Sequence, residues 1–227
     1  MRGFPPGCLA LFLFGLLLIL LPFFLAEIML TALAKLGLNA QQSIMAAIGI
    51  FLGSMVNIPV IRFKTLGRVE DSASNMFGIS RQVFPNMQQQ NSTLLAVNLG
   101  GCIIPLLIAG YQMVRLYDFG AHYMLGCGVV VVANILICQQ TAKPIENMGI
   151  AIPALIPAIA AALLALLFVP DQAPAVAFTA GVLGPLIGAD LLHLDEIKKM
   201  GTPIASIGGA GTFDGIVLSG IVATLLA

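Results

Sequence analysis

The sequence predicts an all-α fold, a polytopic transmembrane helix bundle of about seven spans, on three observations. Of the 227 residues 59% are hydrophobic and only 9% are charged, where a soluble domain carries roughly 25% charged residues. The apolar residues gather in runs near 8–26, 42–61, 93–114, 121–139, 149–169, 174–193 and 204–226, each close to the ~20 residues that cross a bilayer core. The basic residues are unevenly divided between the connections. With the N-terminus in the cytoplasm, Arg2, Arg62, Lys64, Arg68, Arg81, Lys143, Lys198 and Lys199 lie inside and only Lys35 and Arg115 outside, a positive-inside bias. The expectation is a single integral domain over 1–227 in the cell (inner) membrane, its N-terminus cytoplasmic and its C-terminus external. The lipid bilayer is then its first partner, and a formal net charge of zero offers nothing that would draw nucleic acid.

Taken in order, the first run follows Arg2 but is too long for the apolar core of a secretion signal and lacks a small-x-small cleavage site, so it reads as a retained anchor. Residues 26–37 have helical periodicity with Glu27 and Lys35 off the apolar stripe, which predicts a helix along the outer interface. The segment 62–92 is the longest polar stretch and reads as a cytoplasmic loop, either a solvated connection or a gate over a cavity. In the third span Asn98 precedes Gly100-Gly101 and Pro105; this breaks the helix and frees carbonyls for a ligand. Asn57 and Asn134 are weaker cases, and for each asparagine taken alone interhelical hydrogen bonding is the leading explanation. The fifth span opens at Pro144, which puts Glu146 in the first turn, where the helix dipole favours it. Cys8, Cys102, Cys127 and Cys138 show no C-x-x-C pair and no partnered histidine, so they read as buried free thiols rather than metal ligands or disulfides.

Ionisable residues in apolar surroundings carry the chemistry. Asp214 lies in Ser206-Ile-Gly-Gly-Ala-Gly-Thr-Phe-Asp-Gly215, and a carboxylate at the bilayer centre costs roughly 2.5–3.5 kcal/mol even on lenient scales. Gly208, Gly209 and Gly211 loosen the helix before it. On the preceding span Asp190 and His193 are three residues apart and would share a helical face, followed by Asp195 and Glu196 at the cytoplasmic end. Ten helical residues from Ile204 would sink Asp214 about 15 Å, whereas Asp190 sits one turn from its end. The two carboxylates meet only if the sixth helix is prolonged or Gly208–Gly211 is unwound around a water-filled vestibule. The candidates are Asp190 and Asp214 as catalytic groups, with Asn98, Gly100, Gly101, Glu146, His193, Gly208, Gly209 and Gly211 as substrate- or ion-binding residues. No metal or cofactor motif is present.

Two resemblances rest on these residues. Gly181-Val-Leu-Gly-Pro-Leu-Ile-Gly-Ala-Asp-Leu-Leu192, followed by Ile207-Gly-Gly-Ala-Gly-Thr-Phe-Asp-Gly215, resembles the prokaryotic membrane proteins of domain-of-unknown-function family 1614, which implies no activity. Tyr117-Asp118, Pro153-Ala-Leu155 and Gly209-Ala-Gly211 before Asp214 are similar, in part, to presenilin-type intramembrane aspartyl proteases. Thr212 and Phe213 intervene before the aspartate, and Pro153-Ala-Leu155 precedes rather than follows the glycines, so only the carboxylate pair carries over. Three classes stay open: an aspartyl-type intramembrane protease; an ion- or proton-coupled small-solute transporter or channel with Asp214 as carrier; and a non-catalytic scaffold, either a homo-oligomer or a subunit of a membrane complex.

Overall fold

A computed structural model describes residues 6–64, 92–145, 149–153, 155–199 and 204–227. Helix α1 (Pro6–Lys35) is followed by α2 (Ala40–Gly53), β1 (Asn57–Lys64) and β2 (Ser92–Asn98). A π-turn (Leu99–Ile103) then leads into α3 (Ile104–Phe119), and α4 (Ala121–Thr141) returns to a hairpin of β3 (Lys143–Ile145) and β4 (Gly149–Ala151). Next come α5 (Leu155–Phe168), α6 (Ala173–Leu183) with its π-helical extension Gly184–Leu191, α7 (Leu194–Lys199), β5 (Ile204–Ile207) and α8 (Gly215–Leu226).

Among the described residues four helices are long and apolar enough to cross a membrane: Leu11–Lys35, Leu99–Phe119, Ala121–Thr141 and Pro170–Leu191. The other three predicted spans contain the shorter apolar helices α2, α5 and α8. At 1.5 Å per residue these reach only about 21, 21 and 18 Å, against a core of about 30 Å. The protein is thus a helical membrane protein, but the all-α expectation is corrected. Residues 57–64, 92–98, 149–151 and 204–207, all assigned to spans or a loop by their apolarity, form strands. Asn57-Ile-Pro-Val-Ile-Arg-Phe-Lys64 and Ser92-Thr-Leu-Leu-Ala-Val-Asn98 are β-branched and too short for a helix of their own. β2 is the centre of a mixed sheet, antiparallel to β1 and parallel to β5. Helices α3 to α7 lie between the two parallel strands in sequence, the long crossover that parallel pairing demands.

The expected interfacial helix at 26–37 is not a separate element. Residues 26–35 continue α1, because nothing in Ala26-Glu-Ile-Met-Leu-Thr-Ala-Leu-Ala breaks a helix, and Met29, Ala32, Leu33 and Leu36 are buried in the core. The first half of α1 leaves Leu11 to Phe14, Phe23 and Phe24 exposed, as lipid contact requires. Of the 62–92 loop, 65–91 lies outside the described residues.

Helix α6 is the axis of the bundle and packs against α3, α4, α5 and α8. Its run Ala173-Pro-Ala-Val-Ala-Phe-Thr-Ala-Gly-Val182 is almost wholly buried, and such small residues let helix backbones approach where no hydrophobic effect drives association. Gly181 lies against the Ser219–Gly220 backbone of α8, and Gly188 against Ile135 and Cys138 of α4. Asn134 on α4 is fully buried and donates from Nδ2 to the Ala180 carbonyl at 2.7 Å, the interhelical bond that its sequence position allows.

Candidate functional site

The chain between β5 and α8 is the focus. β5 ends at Ile207 because Gly208 turns the backbone at φ +70°, and Gly211 turns it again at φ +62°. A short 3-10 turn, Gly211–Phe213, then delivers Asp214 as the N-cap of α8. One carboxylate oxygen accepts from the Ile216 amide at 3.0 Å and the other from the Ala210 amide at 3.3 Å. These are donors that a helix start leaves without intrahelical partners. The unwound alternative for Gly208–Gly211 is therefore the one adopted.

The two Gly-Gly elements of the sequence meet here. A side chain on Gly101 would collide with the Gly208 carbonyl, and one on Gly208 with the Gly101–Cys102 backbone. Gly100 in turn packs on Gly53 and Ser54 at the end of α2. Asn98 organises this junction. Its Oδ1 accepts from the Gly101 amide at 2.7 Å, and its Nδ2 donates to the Ser54 carbonyl at 2.8 Å and to Asn57 Oδ1 at 3.1 Å. The Ser206 hydroxyl donates to the same Asn57 oxygen at 2.6 Å, and the hydroxyls of Ser54 and Thr212 share a hydrogen bond of 2.9 Å. Asn98, Gly100 and Gly101 thus hold the Asp214 loop against α2 and the sheet. They do not line the cavities that Asp214 lines.

Asp190 reaches the same place from the other side, on the π-helical turn that ends α6. Pro185 sits inside this segment, and its missing N–H and ring suit a widened turn. Asp190 and Asp214 together line a cavity of about 360 Å³ with Ser206, Gly208, Gly209 and Ala210 on one wall and Gly149 and Ile150 of β4 on another. They also line a second cavity of about 250 Å³, bounded by Ile150–Ile152, Pro185, Ala189, Phe213 and Ile216. Asp190 lies within electrostatic range of Asp214. Among the described residues no donor reaches the Asp190 carboxylate, whereas Asp214 holds two backbone amides.

The remaining candidates are placed differently. Gly208 and Gly209 line the larger cavity; Gly211 packs against Ser54. His193 is turned back on its own helix, with Nδ1 2.9 Å from the Ala189 carbonyl, and pairs with neither aspartate. Asp195 is exposed and forms an ion pair of 2.6 Å with Lys198. Glu146 lies outside the described residues. Cys102, Cys127 and Cys138 are buried free thiols, and Cys102 lies within electrostatic range of both aspartates. Among the described residues no cluster of three His, Cys, Asp or Glu side chains is placed to hold a metal. Sequence reasoning passed over β4, β5 and Ser206 as cavity walls; the signal was the tetrad Ile204-Ala-Ser-Ile207, β-branched at both ends and set directly before a Gly-Gly turn.

A helical membrane protein in which an aspartate at a strand-to-helix break and another on a π-helical turn line a common cavity is the class that fold and site define. Residues 51–226 match the family described as protein of unknown function (DUF1614), and the chain belongs to that family. No curated protein and no solved structure gives a match, and these comparisons do not show the presenilin-type resemblance.

Proposed function

We propose that this chain is an intramembrane hydrolase of the aspartyl type, with Asp190 and Asp214 as its catalytic pair. The observation that carries the reading is that two carboxylates from different, locally unwound segments line one cavity within an otherwise apolar bundle. Two carboxyls at close quarters share a proton. The ionised one takes a proton from water as the water oxygen adds to a scissile carbonyl carbon, and the other gives its proton to the carbonyl oxygen. Collapse of the resulting diol breaks the C–N bond, and the amine nitrogen takes up the proton. The amides of Ile216 and Ala210 fix Asp214, while Asp190, without a bound donor among the described residues, is free to exchange its proton.

The sheet supports a polypeptide substrate. β5 is the edge strand in the order β1-β2-β5, and all of it lines the larger cavity opposite β4. An extended segment laid along β5 would gain backbone hydrogen bonds where it passes the carboxylates. In this reading the protein is multi-pass in the cell membrane, N-terminus inside and C-terminus outside, acting alone, as a homo-oligomer or as a subunit of a membrane complex.

A second reading, proton- or cation-coupled transport through Asp214, is favoured by one observation: two cavities share the carboxylate pair in their walls. The test that separates the two uses a hydroxyethylene peptide isostere, which mimics the tetrahedral intermediate. Retention of this probe by the wild type, and loss of about 100-fold or more in affinity in both Asp190→Asn and Asp214→Asn, is the expected result. Binding unaffected by either change, with proton flux in proteoliposomes abolished by Asp214→Asn, overturns the hydrolase and leaves transport.

A further inference from the structure

The only two basic residues that the charge distribution leaves outside, Lys35 and Arg115, line one cavity. It measures about 160 Å³ and lies at the other end of the bundle, where α1, α3 and α8 end and α6 begins. Asp171, Gln112 and Gln172 complete its polar wall, and Gly37 lines it beside them. Arg115 donates from Nη1 to the Leu36 carbonyl, and Lys35 donates to the Leu225 carbonyl at 2.9 Å. Each cation thus caps a helix end, yet each retains further N–H groups. Gly37, at φ +75°, is seated so closely on the guanidinium that a side chain there would collide with it. Among the described residues neither cation comes within ion-pair distance of Asp171, although all three line the cavity. Opposite charges held apart across a small open cavity match a ligand that carries both signs.

The surroundings say where such a ligand comes from. Of the three tyrosines of the chain, Tyr117 and Tyr123 flank the α3–α4 turn at this end, and the ring of Tyr111, two turns back along α3, lies 5.8 Å from the Arg115 guanidinium. Tyr111 and Tyr117 are exposed beside exposed Val114 and Phe119, the amphipathic belt that marks the headgroup level of a bilayer. Tyr123 directs its hydroxyl to Asp171 at 3.5 Å.

We infer that this cavity binds the headgroup of a phospholipid bearing a primary amine, its phosphate on Lys35 and Arg115 and its ammonium on Asp171. A primary ammonium donates hydrogen bonds to a carboxylate; a quaternary one does not. The site is independent of any reaction at the other end of the bundle.

Native mass spectrometry of the full-length protein in detergent, titrated with phosphatidylethanolamine, phosphatidylcholine and phosphatidylglycerol, tests this. Wild type should retain the primary-amine lipid about tenfold better than either other. Asp171→Ala, an exposed position with one long hydrogen bond, should keep the fold and lose that preference, while Lys35→Met should weaken all three lipids. Equal retention of the three lipids by wild type, or a preference that survives Asp171→Ala, overturns the proposal. Soluble phosphoethanolamine binding as tightly as the lipid would overturn the lipid assignment and leave a small-solute site.

Discussion

Asp214 does two things with one side chain, and substitutions separate them. As the N-cap of α8 it satisfies the Ile216 amide while its second oxygen reaches back to the Ala210 amide, and as a carboxylate it shares a cavity with Asp190. Asparagine caps a helix about as well as aspartate, whereas alanine costs roughly 1 kcal/mol. Asp214→Asn keeps the Ile216 bond through Oδ1 but turns an NH2 towards the Ala210 N–H and gives up that longer bond, so it should unfold in detergent between the wild type and Asp214→Ala, the latter destabilised by about 1 kcal/mol or more. Equal destabilisation of the two would show that the charge, and not the cap, holds the loop. The residue was legible in the sequence because an ionisable group among glycines and apolar side chains needs a reason. Its capping role was not, since a cap exists only once the helix start is known, and apolarity alone placed that start at Ile204, eleven residues before Gly215.

At the level of elements, the architecture rests on backbone contacts that only glycine permits. Gly101 and Gly208 bring the π-turn before α3 against the turn after β5, and α2 closes the stack through Gly53 and Gly100. Gly101→Ala should displace the Asp214 loop and cost several times the ~1 kcal/mol that Asp214→Ala costs, as overpacking into backbone does. Gly128, in the middle of α4 with open space around it, is the control: alanine there should be neutral or stabilising by up to about 1 kcal/mol. Thermal unfolding of both variants in one detergent checks the contrast, and similar melting shifts would refute it. The Gly-Gly pairs stood out in the sequence, but that they face each other did not, because 107 residues separate Gly101 from Gly208. The strands escaped for a related reason. Hydropathy reports apolar length without period, and Ile204–Ile207 extends an apolar run whether it lies in a helix or a sheet.

For the whole molecule, the two ends of the bundle are hollowed unequally, with the two larger cavities at the end that carries the carboxylates and the smaller one at the opposite end. The three short helices α2, α5 and α8 leave about 10 Å of bilayer depth uncovered on the side where the strands, the carboxylates and both larger cavities lie. Of the described basic residues, Arg62, Lys64, Lys143, Lys198 and Lys199 belong to the elements that flank this side, so by the positive-inside rule the hollow should open to the cytoplasm. Ala210 is the place to ask: it is exposed and lines both carboxylate cavities. Cys102, Cys127 and Cys138 are buried and should contribute little background once Cys8 is replaced. In that setting Ala210→Cys should react with a charged, membrane-impermeant thiol reagent in inside-out vesicles and stay unmodified in right-side-out ones. A cysteine at Leu125, exposed on the flank of α4, should resist the reagent from both sides because lipid covers it. Reaction of Ala210→Cys from the outer side alone would invert the topology, and no reaction from either side would mean that the cavity is dry, which would remove the water that both hydrolysis and proton transfer require.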